Sequence, residues 1–142
     1  MRCLELAINL WTCKKCKRQF ARKNQSHTCT KIKPRDHLKG KSEKVKLLYQ
    51  SLKDQLVAEL PVRFDAISFA INMSARAQFG MIFILKDKIK VEFKLPDRIT
   101  HPRIYKAAKM NGTIVHVVMI ETQEEIDKQL LDWLKQAYLY KS

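Results

Sequence analysis

Residues 79–95 read FGMIFILKDKIKVEFKL, and the pattern of this stretch decides the fold class. Phe79–Leu85 is apolar on both faces that a strand presents, as in the middle of a sheet, whereas Ile89, Val91, Phe93 and Leu95 alternate with Lys88, Lys90, Glu92 and Lys94. Successive side chains of a strand point to opposite faces, so this alternation describes a strand buried on one side only. Lys86-Asp87 lies between the two as the tight turn of a hairpin. Working outward, Ile67, Phe69, Ile71 and Met73 alternate with Ala66, Ser68, Ala70 and Asn72 and predict one preceding strand. Thr113–Ile120 predicts a fourth. Ser42 caps a helix over about 44–60 whose apolar stripe is Val45, Leu48, Leu52, Leu56 and Leu60, with Pro61 as its stop. Pro102 opens a short helix through Lys109 that ends at Asn111-Gly112. Thr122 and Glu125 form a capping box before a last helix that packs through Ile126, Leu130, Trp133, Leu134, Ala137 and Tyr138. The expected order is α-β-β-β-(α)-β-α: an α+β domain with an antiparallel four-stranded sheet and helices on one face.

The chain has 142 residues and a net charge of +14. Residues 1–46 hold 14 Lys+Arg against 3 Asp+Glu, or +11, while 47–142 hold 14 against 11, or +3. The basic excess therefore belongs to the front of the chain, and such an excess is suited to polyanions. No apolar run approaches the ~20 residues of a membrane helix, so no membrane partner is expected. Three parts follow: residues 1–29 with a metal-ligand pattern, a basic linker over 30–42 with Pro34 and Gly40, and the α+β domain over 43–142.

The metal-ligand pattern is Cys13-x2-Cys16, ten residues, then His27-x-Cys29. In a Cys-x-x-Cys turn the intervening amides curl round the first sulfur, and two thiolates converge on one ion at ~2.3 Å. His27 and Cys29 are two apart, a spacing that chelates from an extended or turn segment and not from a helix middle. Four ligands fill the tetrahedron of Zn2+ and leave no position for water, so the site is expected to be structural, in a small zinc knuckle. Thiolate ligation suits a reducing, cytoplasmic setting. Cys3 is left over as a thiol or substitute ligand, and His37 reads as a local turn contact with Asp36 or as a further substitute for His27 or Cys29.

The segment WTCKKCKRQFARKNQSHTC, with DHLKGK after it and LLDWLKQAY near the end, resembles a family of small, mainly bacterial proteins catalogued as a domain of unknown function. That family's pattern is Trp-x-Cys-x-x-Cys-Gly-Arg, Asn-Gln-Ser-His-x-Cys, Asp-His-Leu, and an α+β domain closing on Trp-Leu-x-x-Ala-Tyr. Lys17 stands here where the family has glycine. The resemblance implies the zinc ligands and the division of the chain, and no activity. The helix–sheet–helix order is also similar, at the level of fold alone, to the MmcQ/YjbR group, for which DNA binding has been suggested.

Outside the metal segment, His116 reads as a core histidine without a catalytic partner, and Asp97, Arg98, His101 and Arg103 as a solvated loop or a grip for a phosphate or carboxylate. Three functions from different classes are expected, in this order. The first is non-enzymatic nucleic-acid binding, with zinc organising Lys14, Lys15, Lys17, Arg18, Arg22 and Lys23 and with Phe20 or Trp11 stacking on bases. The second is a protein-interaction adaptor with a protein partner. The third is a metal-dependent nuclease using Asp65 or Asp87 with Glu92 and Lys94. A basic Lys88–Lys94 sheet face is the alternative place for a phosphate backbone.

Overall fold

The computed structural model describes residues 10–14, 17, 19–20 and 32–142. Their elements are β1 (Trp11–Thr12), β2 (Gln19–Phe20), a 3-10 helix (Pro34–Leu38), α1 (Glu43–Val57), β3 (Arg63–Ala66), β4 (Ile71–Ser74), β5 (Gln78–Ile84), β6 (Ile89–Leu95), β7 (Lys106–Met110), β8 (Thr113–Ile120), a short 3-10 turn (Gln123–Glu125) and α2 (Lys128–Tyr140). The class is α+β and the large sheet is antiparallel throughout, in the order β3-β4-β5-β6-β8-β7. It has six strands where four were expected, for two local reasons.

The alternation from Ala66 to Met73 runs through a turn. The Ile67 N–H donates to the Ala70 carbonyl at 2.8 Å, so β3 and β4 are two arms of a hairpin and Phe69 stands 61% exposed at its tip. The second reason lies at Asn111-Gly112. Both residues have positive φ, 52° and 79°, the pair of left-handed conformations that a two-residue hairpin turn requires. The segment expected to be a helix from Pro102 to Lys109 instead ends in the edge strand β7, paired with β8 from Lys106↔Val117 to Met110↔Thr113.

Ile89, Val91, Phe93 and Leu95 face the helices, as their alternation predicts, and join Leu48, Leu52 and Leu56 of α1 with Leu130, Leu134 and Ala137 of α2 in one core. Phe93 stacks between His116 (ring centroids 5.2 Å) and Trp133 (5.9 Å). A bulge, at which Ser74 faces Gln78 and Met73 faces Gly80, leaves Phe79 as the extra residue, and its ring meets Tyr138 edge-on at 5.7 Å. Gly80 is dictated by close approach: a Cβ there would lie 2.4 Å from the Glu92 carbonyl oxygen.

The helix ends follow their side chains. Ser42 Oγ accepts from the Val45 N–H at 3.3 Å, as expected. Glu125 accepts from the Thr122 N–H at 3.0 Å, but this box closes the 3-10 turn, and α2 starts at Asp127, whose carboxylate accepts from the Leu130 N–H at 3.0 Å. The stretch read as a basic linker contains the Pro34–Leu38 3-10 helix, anchored where His37 Nε2 meets the Ile67 carbonyl at 2.7 Å and where Leu38 packs on the core. Among the described residues no helix is long and apolar enough to cross a membrane.

Candidate functional site

Of the four expected zinc ligands, Cys13 alone is described; Cys16, His27 and Cys29 lie outside the described residues. So do Cys3, Lys15, Arg18, Arg22 and Lys23, and the side chain of Phe20. What surrounds Cys13 is a two-stranded antiparallel ladder, Trp11↔Phe20 and Thr12↔Gln19. Cys13 is 5% exposed, and its carbonyl accepts from the Lys17 N–H at 2.8 Å. Lys17 takes φ +64°, the left-handed region that favours glycine, at the position where the resembling family has one. Lys14 and Lys17 are exposed. Among the described residues no three His, Cys, Asp or Glu side chains gather to hold a metal ion.

One arginine connects this hairpin to the domain. Arg63, on the edge strand β3, donates to the Gln19 carbonyl at 2.6 Å, to the Ala75 carbonyl, and to the Arg76 carbonyl at 3.2 Å. Its role was not legible in the sequence, because the three carbonyls come from two distant segments.

The sheet does not assemble the nuclease carboxylates. Asp65, Asn72, Met81 and Glu92 are successive partners across β3, β4, β5 and β6, so Asp65 and Glu92 stand three strand spacings apart, about 14 Å. Asp87 is in the turn before β6. Glu92 instead neighbours Lys90 at 3.9 Å, and Lys94 donates to Gln78 Oε1 at 2.9 Å while Gln78 donates to Asn72 Oδ1 at 2.7 Å. Lys90 also lies 4.2 Å from the centre of the Phe83 ring. These lysines are engaged within the face they occupy, and burial draws the pKa of Lys94 down.

The 97–103 loop is likewise committed to structure. Arg103 Nη1 donates to both carboxylate oxygens of Asp127 (2.8 and 2.9 Å), and its Nη2 donates to the Glu125 carbonyl at 2.6 Å. Arg98 donates to the Ala107 carbonyl at 2.8 Å, and His101 accepts from the Arg103 N–H at 3.1 Å. His116 is fully buried and its Nε2 accepts from the Ile99 N–H at 2.9 Å, which places the proton of the neutral ring on Nδ1. Burial holds its pKa below the ordinary value; the Phe93 and Ile114 backbones favour the charged ring but do not provide Nδ1 with a hydrogen bond.

Compared with known families, residues 35–141 match the model of a domain of unknown function, DUF5655. No curated protein and no solved structure matches the chain.

Proposed function

We propose, from the premise that this chain belongs to the DUF5655 family, that it is a non-enzymatic nucleic-acid-binding protein whose basic front segment makes the phosphate contacts. The observation that carries this reading is the charge division, +11 over residues 1–46 against +3 over the rest. Phosphate contacts by lysine and arginine release condensed counterions, so a segment of that density gains affinity for any polyanionic strand. Zn2+ held by Cys13, Cys16, His27 and Cys29 would fix the segment's fold, with Lys14, Lys15, Lys17, Arg18, Arg22 and Lys23 around it and Phe20 available to stack on an unpaired base. The burial of Cys13 and the hydrogen bond that its carbonyl accepts from Lys17 support that ligand set. The cytoplasmic setting is part of the same proposal.

The test pairs elemental analysis with binding. Protein purified under reducing, chelator-free conditions should carry one zinc per chain, less in Cys16→Ser. Anisotropy titrations with duplex DNA should give a slope of log affinity against log salt of roughly −4 to −5 for about five phosphate contacts. Replacing Lys14, Lys15, Arg18 and Arg22 by Ala should flatten it by up to ~4 units. Absence of binding at low salt would favour the protein adaptor instead.

A further inference from the structure

Tyr49 is on the buried side of α1, 2% exposed, and its hydroxyl has no hydrogen-bond partner. A buried hydroxyl in that condition carries a desolvation cost until something satisfies it. It borders a groove of about 290 Å³ between the 3-10 helix and α1, where Lys33, Arg35, Gln50 and Lys53 also line the walls and Pro34 and Leu38 supply apolar surface. Lys53 follows Tyr49 by one helical turn, so both present to the same side of α1. Lys33 and Arg35 reach the groove because the 3-10 helix is fastened to the β3–β4 turn through His37 and Ile67.

Three cations therefore line the groove that the unsatisfied phenol borders. Among the described residues no carboxylate pairs with Lys33, Arg35 or Lys53. The nearby acids are occupied elsewhere: Asp36 accepts from the Lys33 backbone N–H at 2.8 Å and pairs with Lys39 at 3.3 Å, and Asp54 accepts from the Gln50 amide at 2.8 Å. Lys53 Nζ rests 5.5 Å from the centre of the Phe64 ring, which leaves its N–H groups for a ligand. Burial pushes the Tyr49 pKa up to about 12, so the hydroxyl keeps its proton and acts toward an anion as a donor.

We infer that this groove binds a phosphate group, whose oxygens take the Tyr49 hydroxyl and the charges of Lys33, Arg35 and Lys53. A compact dianion with several acceptor oxygens answers three cations and a neutral donor together, which no single uncharged group does. The site deepens the nucleic-acid reading, and rests on it for one source of the phosphate, a strand terminus.

The full chain tests this in two arms. In the first, sodium phosphate replaces sodium chloride at constant ionic strength while the 1H–15N spectrum is followed. Saturable shifts are expected at the amides of 33, 35 and 49–53, and Tyr49→Phe should weaken phosphate by about tenfold. That variant removes only an unpartnered oxygen, so its thermal midpoint should not fall, which separates a lost ligand contact from a lost fold. In the second arm, 5′-phosphorylated and 5′-hydroxyl single strands of one sequence are compared by anisotropy. Preference for the 5′-phosphate, erased by Tyr49→Phe, assigns the site to a strand terminus. Saturable phosphate binding without that preference assigns it to free phosphate, and if neither strand binds, the nucleic-acid reading falls while the groove stands. No saturable shift, or unchanged affinity in Tyr49→Phe, overturns the groove and leaves the charge-based reading untouched.

Discussion

In the large sheet Phe93 is wholly buried between His116 and Trp133, one of many apolar side chains from four strands (β4, β5, β6 and β8) and two helices in a single core. In the front hairpin two ladder pairs flank Cys13, and one link to the domain is the hydrogen bond from Arg63 to the Gln19 carbonyl. The difference teaches where each region's order comes from. Apolar burial at ~25 cal/mol per Å2 can sustain the domain, but an isolated two-stranded hairpin is marginal at best. The front segment therefore needs an additional bond source, which the proposed zinc supplies. Residues 1–31 carry +7 and residues 32–142 the other +7, so charge is densest in the part least able to fold alone, the part most suited to polyanions.

The sharpest contrast comes from substituting one side chain in each region. Phe93→Ala should cost the domain about 3–5 kcal/mol, the sum of lost transfer energy and a cavity among stacked rings. Cys13→Ser should empty the proposed metal site and leave the domain's urea midpoint within ~0.5 kcal/mol. Equal effects on that midpoint would show one cooperative unit and break the comparison.

A smaller effect separates the regions by pH. The His116 pKa is lowered in the folded state from an ordinary 6.5, chiefly by burial. As pH falls through that value the unfolded chain takes up the proton first, so stability is full above it and declines below. Between pH 7.5 and 5.5 the domain should lose up to about 1.4 kcal/mol. His116→Gln, which keeps an acceptor for the Ile99 N–H, should remove most of that loss in paired thermal melts. An unchanged pH dependence in the variant would assign the loss to carboxylates.

The smallest effect lies in the hairpin. Lys17 holds φ +64°, a conformation costing a non-glycine residue roughly 1–2 kcal/mol. Lys17→Gly should relieve part of it, offset by glycine's greater freedom when unfolded, for a net gain of up to ~1 kcal/mol. A higher apparent zinc affinity by competition with a chelator would register that gain, and a lower one would contradict the turn geometry.

The strands β5, β6 and β8 were legible because side-chain alternation and unbroken apolar runs report burial directly. Lys106–Met110 was not. KAAKM is rich in helix formers, and Asn-Gly serves equally as a helix stop or a hairpin turn, so pairing with β8 decided against local propensity. The break at Ile67–Ala70 was hidden because alternation continues across it. At the candidate site the cysteine spacing could be read along the chain, and of its four ligands Cys13, which is buried, lies among the described residues. The Tyr49 groove could not, because its walls meet only after His37 docks on Ile67, thirty residues away.

The most direct measurement of the central claim compares the full chain with one beginning at Ile32, both titrated with duplex and single-stranded DNA across salt concentrations. The shorter chain keeps the 3-10 helix, the sheet and the groove, and loses the hairpin with its cysteines and seven of the front segment's lysines and arginines besides Arg2 (Lys14, Lys15, Lys17, Arg18, Arg22, Lys23 and Lys31). The shorter chain should still melt cooperatively, bind duplex far more weakly, and give a salt slope reduced by roughly 4 units. A shorter chain that binds duplex as tightly as the full one, with the same slope, would contradict it and move the nucleic-acid surface onto the domain.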